Sequence, residues 1–127
     1  MSTSSTLATL ADQPTVILTT FRRDGRAVAT PVSLAVAGEH GFVRTYASSG
    51  KYKRIRNNPT VEVAPATFRG RATGPAIRAR ARVLSVEEAA AARRLIEARH
   101  PWLHRLAVPI VHRLTGKRTV YLELRAA

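Results

Sequence analysis

Ser48-Ser49-Gly50-Lys51-Tyr52-Lys53-Arg54-Ile55-Arg56-Asn57-Asn58-Pro59 is the stretch on which the reading of this chain turns. It predicts a short helix. Ser48 or Ser49 can cap the free amides at its start, and Asn58-Pro59 ends it because a residue before proline avoids helical angles. The charge is at odds with that helix. A helix amino terminus carries partial positive charge and favours Asp or Glu, yet Lys51 and Lys53 occupy the first turn, with Arg54 and Arg56 behind them. Each such placement costs up to about 1 kcal/mol unless an anion lies beside it. Free amides plus a lysine make a phosphate site. The alternatives are a solvated basic face or sequence-independent contact with nucleic acid.

The surroundings are also basic. Between Arg44 and Arg82 stand ten Lys and Arg residues against a single acid, Glu62, within a chain of net charge +13. Such a concentration implies an acidic partner: nucleic acid, anionic lipid or a polyanionic small molecule. The length of 127 residues and 45% apolar content fit one globular domain over residues 1–127. No apolar run nears the roughly 18 residues of a membrane-spanning helix. The first six residues lack the positive charge that opens a secretory signal, so a cytoplasmic location is expected. With no cysteine, disulfides, thiolate metal sites and thiol nucleophiles are excluded.

Around the helix the pattern is mainly that of strands. Residues 1–13 form a polar lead-in with Leu7 and Leu10 on one face. Val16 to Phe21 is β-branched and aromatic, and Asp24-Gly25 marks a hairpin turn. Residues 26–37 predict one long strand with Val28, Thr30, Val32, Leu34 and Val36 on a common face. Pro31 cannot donate to a ladder, so it marks an edge or bulge, leaving a gap where a flat ring can lie. After a turn at 38–41, residues 42–47 form a strand that feeds the basic helix, and 60–64 form the next. Phe68 to Pro75 is a glycine-punctuated turn region. From Ala76 to Leu84, Ile77, Ala79, Ala81 and Val83 alternate with Arg78, Arg80 and Arg82, so one face is core and the other meets solvent or an anion. Ser85 and Glu88 form a capping box that opens an Ala-rich helix to about Arg99. A second helical stretch carries Leu103, Leu106, Ile110 and Leu114, broken near Pro109, and residues 118–124 form a last strand. Mostly antiparallel strands with helices set apart predict an α+β fold, a small barrel.

Side-chain chemistry is sparse. His100 and His104 are separated by Pro101 and lack a third ligand, so no metal site is expected. No serine sits in a nucleophile elbow, and no two carboxylates pair for acid–base work. Gly70-Arg71-Ala72-Thr73-Gly74 lacks the lysine of a phosphate-binding P-loop and reads as a β-turn. Trp102 and Phe68 are isolated aromatics, with no interleaving of aromatic and basic residues for single-strand nucleic acid. A strong anion site with little protein chemistry suits an enzyme that borrows its reactivity from a cofactor.

The order of elements and the basic motif resemble the split β-barrel flavin and deazaflavin proteins related to pyridoxamine 5′-phosphate oxidase, over Val16 to about Leu124. The family's turn, Ser-x-Lys-x-x-(Gln or Arg)-(Ile or Leu)-x-x-Asn-Pro, appears here as Ser49, Lys51, Arg54, Ile55, Asn58 and Pro59. Ala29-Thr30-Pro31-Val32-Ser33 is similar to the segment that lies against the ring. Lys51 to Pro59 followed by Phe68 to Pro75 is most similar to the branch that uses the deazaflavin coenzyme F420.

The resemblance implies a mostly antiparallel split barrel of six or seven strands and a hydride-transferring oxidoreductase acting on a small electron-poor organic substrate. Its cofactor is F420, with flavin mononucleotide (FMN) as the alternative. It implies that Lys51, Arg54 and Ser49 hold the cofactor phosphate and that Ile55 also belongs to the cofactor-binding residues. Thr30, Pro31, Val32, Ser33 and Thr45 contact the ring, and Arg71 and Thr73 reach cofactor or partner subunit. Arginines on the 78–82 strand meet the cofactor's acidic tail, and the protein is a homodimer. No proton donor is singled out among Tyr46, Tyr52, His40 and water. The rival from another class is a basic nucleic-acid-binding module without catalysis.

Overall fold

Seven strands form one antiparallel sheet in the computed structural model, which describes residues 7–13, 15–67, 69–99 and 119–127. In chain order they are β1 (Thr15–Phe21), β2 (Ala27–Val32), β3 (Ala35–Ala37), β4 (His40–Tyr46), β5 (Thr60–Ala66), β6 (Ile77–Val83) and β7 (Thr119–Ala126). Helix α1 spans Gly50–Asn57, α2 spans Val86–Arg99, and Leu7–Leu10 form a 3₁₀ turn. Across the sheet the order is β2-β1-β5-β6-β7-β4-β3. This is the expected split-barrel class, at the upper of the two expected strand counts.

The predicted single strand over 26–37 is in fact two strands, and they are the two opposite edges of the sheet. Only Ser33 and Leu34 join them. From the Cα of Val32 to that of Ala35 is three residues, at most about 11 Å of extended chain. The sheet therefore has to curl until its edges nearly meet. Leu34 and Ala35 are both buried, at 1% and 2% exposure, which regular alternation forbids in a strand with one wet face. Leu34 turns into the barrel where the chain crosses from edge to edge. Pro31, lacking an N–H, falls on β2, where the sheet's outer side needs no donor.

Alternation in the other strands makes the barrel interior. Val16, Leu18, Val43, Val61, Val63, Ala79, Leu122 and Leu124 line it, almost wholly buried, and Leu7, Leu10 and Ile55 close it. Strand β6 keeps the predicted pattern, with Ile77, Ala79 and Ala81 buried and Arg78, Arg80 and Arg82 exposed. The capping box at α2 is reciprocal: Glu88 N donates to Ser85 Oγ at 3.2 Å, and Ser85 N donates to Glu88 Oε1 at 3.0 Å. Buried Ala92 and Ile96 seat α2 against the sheet. The predicted second helical stretch, with Trp102 and the pair His100 and His104, lies outside the described residues, as does Phe68. Among the described residues no helix is long and apolar enough to cross a membrane.

Candidate functional site

Strand β4 ends at Tyr46, and the chain turns directly into α1. Ser49 is the cap, with extended backbone (φ −72°, ψ 152°) and its Oγ accepting from Tyr52 N at 3.2 Å. The same Oγ lies 2.9 Å from Thr45 Oγ1, and Ser49 N donates to Tyr46 O at 2.9 Å. Buried Thr45 thus fixes the cap to the strand that precedes it. The amides of Gly50 and Lys51, ahead of Tyr52, have no partner among the described residues. At the other end Asn58 takes extended angles before Pro59, as predicted, and its N–H returns to Arg54 O.

Lys51 and the Arg54 guanidinium stand at the amino-terminal end of the helix. Arg54 Nε donates to Thr20 Oγ1 at 2.6 Å, which holds the guanidinium over the first turn. There a Cβ on Gly50 would lie 2.6 Å from Arg54 Nη1, so glycine is what allows the guanidinium to lie so close. Lys51 is half-buried and has no acidic partner among the described residues. Burial first, and the Arg54 charge second, push its ammonium below the ordinary lysine value. Two open amides, an uncompensated ammonium and an oriented guanidinium share one helix turn. This donor set fits a phosphate, whose charge would offset the lysine–arginine repulsion.

Other expected site residues fall into distinct environments. Thr30 Oγ1 donates to Leu18 O at 3.4 Å, on the same inner face of β1 as Thr20. Thr20 and Thr30 are diagonal cross-strand neighbours, about 7–8 Å apart, so the Arg54 anchor and Thr30 belong to one neighbourhood. Val32 is half-buried on that face, and Ser33 is half-buried in the link to β3. Pro31 is exposed on the opposite face, against the hairpin that follows β5; a Cβ on Gly70 (φ 91°) would sit 3.4 Å from its Cγ. That hairpin is closed by Thr67 N to Arg71 O at 2.9 Å and Thr73 N to Pro65 O at 2.8 Å, and it leaves Arg71 and Thr73 exposed. Ile55, 3% exposed, anchors α1 in the core.

Thr20 did not figure among the sequence candidates. Its signal was present: period-2 alternation puts it with Val16 and Leu18 on the core face, where a polar side chain needs a partner. A second unforeseen group lies on the outer face. Arg82 donates to Glu88 Oε1 and Oε2 at 3.0 and 3.1 Å, and to Glu123 Oε1 through Nε at 3.2 Å and Nη2 at 3.0 Å. Glu123 Oε2 is 2.7 Å from His40 Nδ1. Arg82 is thus held within the protein, and Arg78 stands 3.9 Å from Glu62, so of the three arginines expected to meet an acidic cofactor tail Arg80 alone has no acidic partner among the described residues. No group of three or more metal-ligating side chains occurs among the described residues.

Solved structures share this architecture at low sequence identity. A protein of unknown function from Agrobacterium tumefaciens superimposes with a TM-score of 0.69 at 19% identity over 92% of this chain, which spans 50% of its length. An F420-H2-dependent reductase gives 0.62 at 18% identity, covering 88% of this chain and 94% of its own. A FAD-binding protein from Mesorhizobium loti gives 0.66 at 14% identity, covering 92% and 82%. Haem-binding proteins also share the fold. No curated protein matches the sequence. With residues 3–122 matching the family described as pyridoxamine 5′-phosphate oxidase, and the curled seven-stranded sheet that solved relatives share, the chain belongs to the pyridoxamine 5′-phosphate oxidase family.

Proposed function

We propose that this protein is an F420-dependent oxidoreductase that transfers a hydride to or from a small electron-poor organic substrate. The observation that carries the proposal is Lys51: a half-buried ammonium without a counter-charge among the described residues, between open helix amides and Arg54. A deazaflavin bound there would supply the hydride chemistry. On this reading Lys51, Arg54 and Ser49 hold the phosphate, while Thr45 fixes Ser49 through their shared hydrogen bond. Thr30 and Val32 on the inner side of β2, with Ser33 in the link to β3, border the ring, and Pro31 contributes backbone without a competing N–H. Arg71 and Thr73, exposed on their hairpin, serve cofactor or partner subunit in a homodimer. The existence of an F420-H2-dependent reductase with the same fold supports the choice of cofactor.

Fluorescence titration of the purified protein with F420 and with FMN tests the proposal. Saturable F420 binding, weakened about tenfold or more by Lys51→Ala with Arg54→Ala, is the expected result, given roughly 1.5–3 kcal/mol per charge-assisted hydrogen bond. Tighter binding of FMN would transfer the same site to that cofactor. Uptake of neither, with salt-sensitive affinity for any DNA duplex, would make the protein a nucleic-acid-binding module.

A further inference from the structure

On the outer face of the sheet, Arg80 of β6 and Arg125 of β7 are direct cross-strand partners. Like charges placed opposite one another destabilise a sheet. Neither arginine has an acidic partner among the described residues. The nearest acid in the same groove, Glu123, is 8% exposed, and both its oxygens are engaged, by Arg82 and by His40. Both its oxygens are therefore taken up before they can serve Arg80 or Arg125. The groove has a volume of about 510 Å³. His40 pairs with Arg125 on the other side, so Arg80, Arg125 and His40 stand in one rung across three strands. His40 and Tyr46 are at opposite ends of β4, about 20 Å apart, and α1 begins beyond Tyr46. The rung and the start of α1 are separate places.

We infer that Arg80 and Arg125 form a clamp for one doubly charged phosphate group, free or at the end of a small phosphoester, at a site distinct from α1. Two facing guanidiniums present several N–H donors to the outer groove, and a phosphate dianion matches their summed charge. Arg82, fixed by two carboxylates, forms the groove's wall and leaves the clamp to the other two. The inference does not depend on which cofactor the α1 site takes.

The test uses the full chain carrying Lys51→Ala and Arg54→Ala, which removes the α1 cations. Amide NMR shifts are followed during titration with inorganic phosphate, with chloride at matched ionic strength as control. The expected result is saturable phosphate-specific shifts centred on Arg80 and Arg125, with affinity reduced about tenfold or more by Arg80→Gln with Arg125→Gln. In phosphate-free buffer Arg80→Gln alone should leave the melting temperature unchanged or raise it, because a repulsion is removed. Shifts that match chloride, or a Gln pair that binds phosphate as its parent does, overturn the inference. Tighter binding of triglutamate than of phosphate also overturns it, reassigning the clamp to a carboxylate chain. If the Gln pair does not fold, Arg125→Lys decides: it keeps the charge and loses the planar fork, so affinity about threefold lower supports the clamp and unchanged affinity overturns it.

Discussion

Arg54 Nε donates to Thr20 Oγ1 at 2.6 Å, so the first basic helix is fastened to a strand 34 residues earlier. Thr20 is fully buried, and its hydroxyl is the only feature that distinguishes it in shape from valine. Thr20→Val should therefore keep the packing and release the guanidinium. We expect a stability loss of about 1–2 kcal/mol in urea unfolding, together with weaker binding of the proposed phosphorylated cofactor. Unchanged stability and affinity would mean that Arg54 needs no anchor.

Ser49→Ala removes both the cap on Tyr52 N and the partner of Thr45 Oγ1. The cost should be about 1–2 kcal/mol, toward the upper end because Thr45 is buried. Ser48→Ala, on an exposed neighbour, should stay within about 0.5 kcal/mol. Equal effects of the two substitutions in urea unfolding would contradict the assignment of the cap.

Alanine normally stabilises a helix by about 0.5–1 kcal/mol relative to glycine. At Gly50 the added Cβ would lie 2.6 Å from Arg54 Nη1 and displace the guanidinium from its bond to Thr20. Gly50→Ala should thus show little of that gain, and cofactor affinity should fall. A variant that is both more stable and equally tight would rule out the close approach.

Lys51 is charged against burial and against Arg54, so its folded value lies below the ordinary 10.5. Its charge opposes folding at neutral pH, and that penalty fades as pH rises through the lowered value. Lys51→Gln should accordingly raise the urea midpoint at pH 7 when no anion is bound, while lowering affinity for the phosphorylated cofactor. In the parent, affinity should begin to fall on the alkaline side before pH 10.5 is reached, as the ammonium is lost. A Lys51→Gln midpoint below that of the parent would show the ammonium to be stabilised by something other than a ligand.

Glu88 has the opposite sign. Hydrogen bonds from Arg82 first, then from Ser85, lower its carboxyl from 4.5 to about 2. The stability it contributes is complete above 4.5 and is lost as pH falls through about 2. Glu88→Gln should flatten the acid limb of the stability profile in that window and leave α2 the first helix to fray by hydrogen exchange. An unaltered acid limb would show that the Arg82 contact carries no linkage.

The short-range features were legible. The end of α1 at Asn58 before Pro59, the reciprocal Ser85–Glu88 box and the alternation of alanine and arginine in β6 each depend on residues a few positions apart. Caps and periodicity act over one or two turns, so they can be read without the rest of the chain. The motif Ser49, Lys51, Arg54 also marked residues that the structure gathers around the first turn of α1. The break at Ser33 and Leu34 was not visible, because residues 26–37 satisfy a strand pattern throughout.

What the linear order of residues determined, then, was the set of elements and the excess of charge in their middle. Tertiary structure decided which of those charges are already balanced. Arg82 meets Glu123 across 41 residues and His40 meets Glu123 across 83, while Lys51, Arg80 and Arg125 meet no acid among the described residues. The pairing of β6 and β4 with β7 brings these distant groups together, since ion pairing depends on separation in space and burial, which sequence spacing does not encode.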